Sequence, residues 1–361
     1  MGLDIAFFGS SLLSARWNGA ATYYRGIIRA LHSQGHHTVF YEPDAYGRQE
    51  HRDIDEPSWA EVVVYTGEIG AVASLKAAGQ ADLLIKASGI GIADTLLERA
   101  VLDLRRPGQM VAFWDVDAPA TLDRIDRNPD DGFRPLIPRY DLIFTYGGGE
   151  AVVKRYLALG ARSCVPIYNA LDASTHHPVP ADPRLACDLG FLANRMPDRE
   201  QRADEFFFRV AKQLPRRRFL LGGSGWDDKP RPANMGYLGH VFTRDHNTFN
   251  ASALAVLNVN RDSMAAVGYS PATRIFEAAG TGACIITDVW EGIEAFFEPG
   301  REILLARDGD EVANQLERLT PERRMQIGQA ALRRALSEHT YEQRAREVER
   351  ALGVSSLKRA S

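Results

Sequence analysis

The feature that most constrains this chain is a train of short, continuously apolar runs, 20 to 30 residues apart, separated by stretches with helical periodicity. In the first half the runs are residues 3–8, 37–41, 61–65, 82–86, 109–114 and 141–145. In the second half they are 187–192, 217–221, 254–259, 283–287 and 302–306. A strand that is apolar at successive positions must be covered on both faces, and parallel sheets with helical crossovers meet that demand. The expected class is therefore α/β, with doubly wound parallel sheets. Between the runs, residues 19–34 put Tyr23, Ile27, Ile28 and Leu31 on one helical face and stop at Gly35. Residues 198–214 do the same with Phe206, Phe207, Val210 and Leu214, and residues 311–319 and 321–352 read as charged amphipathic helices.

A chain of 361 residues predicts two domains, each large enough for its own core. The boundary is expected in 169–184 (NALDASTHHPVPADPR), whose three prolines and few apolar residues have the composition of an exposed linker. That gives one domain over 1–170 and a second over 184–339. The charge balance, 43 basic against 47 acidic residues, argues against binding nucleic acid by broad phosphate neutralisation. Three cysteines, Cys164, Cys187 and Cys284, lie far apart in apolar runs without zinc or disulfide spacing, and are expected to stay reduced. The N-terminal run has no basic segment before it, and no apolar stretch approaches the ~20 residues that span a bilayer. A cytoplasmic protein without a membrane span is the expectation.

Three segments carry candidate chemistry. The turn after the first run, Gly9-Ser10-Ser11, leads through Gly19 into a helix. Small residues there let backbone N–H groups close on an anion or sugar, although a tight strand-to-helix turn explains the same residues. It is not a GxGxxG fingerprint, and no Walker A sequence occurs anywhere in the chain. Glycines 147–149 and the run Gly222-Gly223-Ser224-Gly225 follow strands in the same way. Next, Asp115-Val116-Asp117 ends the 109–114 run. Three readings stand side by side: a DxD pair sharing a divalent cation, Asp117 as general base at the carboxyl end of a strand, and helix capping ahead of Pro119.

The third segment is 258–288. Ser270 before Pro271 reads as a helix N-cap followed by proline at N1, with the helix continuing to Gly280. Its free N–H groups and Arg274 suit a pyrophosphate, and Glu277, on the same face, can accept two ribose hydroxyls, although an ordinary surface Arg–Glu pair has the same spacing. Asn260 and Ser270 in this segment are counted with the same donor site.

Here the chain resembles a known family. The segments GFLANRMPDRE (190–200), GYLGHV (236–241), DHNTFNASALAVLNVNRDSM (245–264), SPATRIFEAAGTGACIITD (270–288) and WEGIEAFFEPGREILLA (290–306) are similar to glycosyltransferases related to the spore maturation protein CgeB. The first half matches more loosely, through KASGIG (86–91) and WDVDAPATL (114–122). The resemblance implies a GT-B fold, two Rossmann-like domains facing across a cleft, with the donor held mainly by the second and residues 340–361 crossing back to the first. It implies that Glu277 holds the donor ribose, that Thr273 and Arg274 approach the diphosphate, and that Gly239, His240 and Val241 receive the base. It also places Arg195 as a phosphate ligand. Many retaining relatives carry a second glutamate eight positions before the ribose one, where this chain has Tyr269.

The reading is a metal-independent glycosyltransferase without a cofactor. It moves a sugar from a nucleoside diphosphate donor to a hydroxyl of a small molecule, glycan or protein. Its rivals are an epimerase or hydrolase on the same scaffold, and a non-catalytic nucleotide-sugar-binding or coat-associated protein.

Overall fold

The computed structural model describes residues 2–16 and 18–354. Thirteen strands form two wholly parallel sheets. The first contains β1 (Asp4–Phe8), β2 (His37–Pro43), β3 (Glu61–Tyr65), β4 (Leu83–Ala87), β5 (Met110–Asp115), β6 (Leu142–Thr145) and β7 (Cys164–Pro166), in the order β3-β2-β1-β4-β5-β6-β7. The second contains β8 (Cys187–Leu192), β9 (Phe219–Gly222), β10 (Met235–Tyr237), β11 (Ala253–Asn258), β12 (Ile285–Asp288) and β13 (Leu304–Ala306), in the order β10-β9-β8-β11-β12-β13. Each sheet starts in its middle, builds to one side, and then crosses over to build the other. This is the doubly wound topology, and it leaves a switch point between the first and fourth strands of each sheet.

The chain divides into two compact units. One holds the residues up to Tyr168 together with the segment beginning at Tyr341, and the other is Asn169–Thr340. In the first unit, helix Ala21–Ser33 buries Tyr24, Ile27, Ile28 and Leu31. Tyr24 meets Phe7 edge-on, and Phe7 in turn stacks on Phe40 at 5.3 Å. Gly35, at φ +92°, stands just beyond the end of this helix, a conformation that favours glycine. The closing helix Tyr341–Ala351 packs on the same helix, with the Tyr341 ring so close to Gly26 that a β-carbon there would lie 2.2 Å from it. Glu349 meets the buried His36 ring at 3.2 Å, and Arg344 donates to the Tyr168 carbonyl. Residues 355–361 of the expected crossing segment lie outside the described residues.

Three expectations need correction. The helix read over 321–352 is two, Pro321–Glu338 and Tyr341–Ala351, broken at His339 and Thr340. The helix read over 198–214 carries a π-turn at Asp204–Phe208 between Pro197–Ala203 and Arg209–Gln213. That turn lets Phe206, Phe207 and Phe208, consecutive in sequence, all reach the core, with Phe207 against Phe191 and Phe219 and Phe208 against Trp226. The segment 169–184 is not a wholly exposed linker. Its first part is anchored in the second unit: Leu171 accepts no solvent, its N–H bonds the His339 carbonyl, and Asn169, Ala170 and His176 are buried.

Candidate functional site

In the second sheet the switch point lies between β8 and β11. Ligands of open α/β sheets sit beyond the carboxyl ends of the strands at such a point. The loop after β8 is bound to the loop after β9. Gly223, at φ +122°, lies against the Ala193 carbonyl, where a β-carbon would stand 2.1 Å away, and the Arg195 N–H donates to the Ser224 carbonyl. Glycine at 223 therefore serves a close backbone approach between two loops.

Five arginines gather around these strand ends, and their partners separate them. Arg195 is gripped by Glu200 at 2.7 and 2.8 Å and by Asp228 at 2.8 Å. Arg202 pairs with Asp288, and Arg261 with Asp198. Arg199 and Arg274 differ: among the described residues neither makes an ion pair with a carboxylate, and the Nε of each is buried without a hydrogen-bond partner. Arg199 donates to the Asn194 carbonyl, and Arg274 reaches the Asn258 side chain at 3.5 Å. Burial and the neighbouring Arg274 charge push the Arg199 pKa down, and burial lowers that of Arg274. Two like charges close together in low dielectric, with Glu277 and Asp198 acting on them only from beyond ion-pair distance, form an arrangement that an anion relieves. Arg199 was not singled out in the sequence, where it stands four residues from Arg195 in the same polar stretch.

The helix carrying Arg274 spans Thr273–Gly280, with Ala272 as its extended N-cap. The start expected at Ser270 and Pro271 is thus two residues early. Ser270 turns its hydroxyl onto the Gly268 carbonyl, and Pro271 offers its own carbonyl to Asn169. Thr273 donates its hydroxyl to the Asn169 side chain. Asn260 is buried and internally bonded: its N–H meets Asp288, its amide nitrogen the Ser270 carbonyl, and its oxygen Asn258. These residues build the wall and leave few groups for a ligand. Tyr269 holds φ +43°, unusual for a residue with a side chain, with its ring over Gly292 and its N–H on the Glu291 carbonyl.

Glu277 stands one turn into that helix, 13% exposed, between two histidines. His176 Nε2 lies 4.0 Å from one of its oxygens and His246 Nδ1 lies 3.9 Å from the other. Neither histidine was a sequence candidate; they are far apart in the chain and only the fold joins them. After β10, Gly239 at φ +69° accepts from the Gly223 N–H. His240 is exposed and meets the half-exposed Phe242 edge-on at 4.7 Å, and Val241 packs on Leu192, Leu220 and Phe249.

The first sheet's switch point lies between β1 and β4 and is filled from within. The buried Glu42 carboxylate accepts the N–H groups of Leu12 and Leu13 and the hydroxyl of Ser11. The loop after β1 thus cradles an anion, as its small residues suggest, but the anion is the chain's own. Ser10 is bonded to Asn18, and Gly9 is required because a β-carbon would lie 2.3 Å from the Phe40 ring. Gly9 is thus committed to backbone packing against Phe40 and the Ser10 hydroxyl to an internal hydrogen bond. Lys86, fully buried on β4, is paired with Asp94.

Asp115 is buried too. It accepts from Tyr156, Thr121 and the Asp117 N–H, which locks the turn after β5, and burial raises its pKa. Those bonds use the oxygens that a DxD metal pair would need. Asp117 precedes helix Ala118–Arg127, half-buried, and its side chain makes no capping hydrogen bond.

Comparison with known proteins accords with this geometry. Residues 199–350 match the family model described as glycosyl transferase-like. Solved structures resemble the whole chain at low identity. Anabaena HepE in complex with UDP-glucose is 13% identical at TM-score 0.69, covering 98% of this chain and 100% of its own. Sucrose-phosphate synthase from Thermosynechococcus elongatus is 14% identical at TM-score 0.69, covering 99% and 100%. An alpha-glucosyltransferase in complex with UDP and a 13-mer DNA is 12% identical at TM-score 0.71, covering 98% and 100%. No curated protein sequence matches the chain.

Proposed function

We propose that this glycosyltransferase of GT-B fold takes its donor, a nucleoside diphosphate sugar, at the carboxyl ends of β8 and β11. The observation that carries the reading is a pair of arginines without ion-paired carboxylates, the buried Arg199 and the half-buried Arg274, at the switch point of the second sheet. The diphosphate would lie between them, near the first turn of helix Thr273–Gly280, where free N–H groups add to the field. Both guanidiniums are already in place, so charge developing on the leaving diphosphate meets a preorganised environment. Two fixed cations beside the diphosphate also support a metal-independent reaction.

Glu277 would accept the ribose hydroxyls, and the stretch Gly239-His240-Val241 would receive the base, with the exposed His240 and Phe242 rings as its platform. Arg195, held by Glu200 and Asp228, shapes the loop and does not reach the phosphate. UDP is the first nucleotide to try, because the HepE and alpha-glucosyltransferase structures contain it. The similar segments of the second half support a place near the CgeB-related group. Three unpaired cysteines fit the reducing cytoplasm.

For the acceptor step we assign Asp117 as general base, removing the proton of an acceptor hydroxyl on a small molecule, glycan or protein. Its place at the carboxyl end of β5, directly ahead of helix Ala118–Arg127, supports this. The test is release of nucleoside diphosphate from a panel of nucleotide sugars, with and without acceptors. Asp117→Asn should lower kcat by about 10²–10⁴-fold with nucleotide affinity kept and stability little changed. Near-normal turnover would remove Asp117 from the mechanism. Turnover with water alone would make the enzyme a hydrolase.

A further inference from the structure

The two histidines beside Glu277 present an unresolved electrostatic problem. Thr175 Oγ1 lies 3.1 Å from the Asp172 carbonyl and 3.0 Å from His176 Nδ1, and with its single proton given to the carbonyl it is an acceptor toward Nδ1. That places the His176 proton on Nδ1 and leaves a bare lone pair on Nε2. His246 Nε2 faces the Val241 carbonyl at 3.3 Å and can only donate to it, which leaves a bare lone pair on Nδ1. Both bare nitrogens are buried and have no hydrogen-bond partner, and His176 as a whole is 1% exposed. Each faces one oxygen of Glu277, at 4.0 and 3.9 Å. Two imidazole lone pairs and a carboxylate therefore converge with no donor among them.

We propose that His176 Nε2, His246 Nδ1 and a Glu277 oxygen form a binding site for a divalent ion of the zinc class, and that this ion and the donor nucleotide exclude each other. Two histidines and a carboxylate with a fourth position open to water is an established zinc ligand set. The three ligand atoms lie within 4.8 Å of one another. Around a tetrahedral zinc such atoms stand about 3.3 Å apart, so small side-chain rotations close the site. Each ring is also oriented from behind, since its other nitrogen lies against Thr175 in His176 and against the Val241 carbonyl in His246. The exclusion rests on the reading of Glu277 as the ribose ligand: ribose hydroxyls and the ion would satisfy the same acceptors. The site would then make donor binding sensitive to free zinc.

The experiment is calorimetric titration of zinc into the metal-stripped full chain, with cobalt(II) absorption reporting coordination. The expected result is one equivalent per chain and the visible band of four-coordinate cobalt. His176→Gln and His246→Gln should each weaken binding by more than roughly 100-fold, beyond the 10–100-fold that losing a residue behind a ligand costs. Should His176→Gln fail to fold, the more exposed His246→Gln carries the test. No stoichiometric zinc binding, or affinity unchanged in the folded variants, overturns the site. Adding UDP to the cobalt-loaded chain should bleach the band, whereas pyrophosphate at equal concentration, a chelator without ribose, should bleach it less. Equal bleaching by the two overturns the exclusion, and with it the ribose role of Glu277, while leaving the metal site standing. Loss of UDP affinity in Glu277→Ala, in a chain that binds no zinc, does the reverse.

Discussion

The two units share a topology and treat their switch points in opposite ways. In the first, the loop after β1 closes its backbone donors on Glu42, and Lys86 is neutralised by Asp94. In the second, the equivalent region leaves Arg199 and Arg274 without ion-paired carboxylates and sets two histidine nitrogens that lack hydrogen-bond partners beside Glu277. A buried polar group left without a partner costs stability, and a ligand is one way to supply the missing partner. The comparison teaches that a binding-prone topology is not itself a site. What matters is whether the chain has already supplied the counter-charge.

The largest effect should come from breaking the self-satisfied side. Glu42→Ala strands the buried N–H groups of Leu12 and Leu13, each costing about 1–3 kcal/mol, so stability should fall by about 3–5 kcal/mol. Urea denaturation reads this, and UDP affinity of the folded protein should be preserved. A variant that keeps its stability and loses UDP would invert the comparison.

Next comes the unsatisfied side. Arg199→Met and Arg274→Met should each weaken UDP binding by about 1.5–3 kcal/mol, the range for hydrogen bonds to a charged group, and leave uridine binding nearly unchanged. Their thermal midpoints should hold or rise, because each relieves a buried like-charge contact. Arg195→Met, already neutralised in the wild type, should cost UDP affinity under about 0.5 kcal/mol. A midpoint that collapses in both Arg199→Met and Arg274→Met would mean that these charges support the fold.

The smallest effect concerns the Arg195–Glu200 pair. Arg195 and Lys229 hold the Glu200 carboxyl down to about 2. The folded state thus binds fewer protons than the unfolded one between about 4.3 and that value, so the pair's contribution is present at neutral pH and fades as the medium is acidified through this window. The groups are solvent-screened, so Glu200→Gln should change stability by less than about 1 kcal/mol and flatten the acid limb, measured by thermal melts from neutral pH downward. An unchanged acid limb would assign the pH dependence to other carboxylates.

Much of this architecture was legible because a strand buried on both faces announces itself as a continuous apolar run. Each of the eleven runs coincides with a strand to within a few residues. The strands missed, β7 and β10, are three residues long, lie at sheet edges and bury little, so they have no such signature. In the site, Arg274 and Glu277 were legible from residue type and helical spacing. Arg195 and Arg199 look alike in sequence, and only the positions of Glu200 and Asp228 separate a neutralised arginine from an available one. His176 and His246 carried no local signal, since each acquires meaning only from Glu277 between them. The turn after β1 was expected either to close on a ligand's anion or sugar or to be a plain tight turn, and its donors at Ser11, Leu12 and Leu13 meet Glu42, which lies on the next strand and was not visible from the loop.

The most direct test of the central claim, that the donor occupies the switch point of the second sheet, is amide hydrogen exchange with and without UDP. The account predicts that added protection concentrates in residues 193–199 and 269–277, with residues 9–14 and 88–94 exchanging as before. Protection confined to the loops after β1 and β4, with the second unit unchanged, would contradict it.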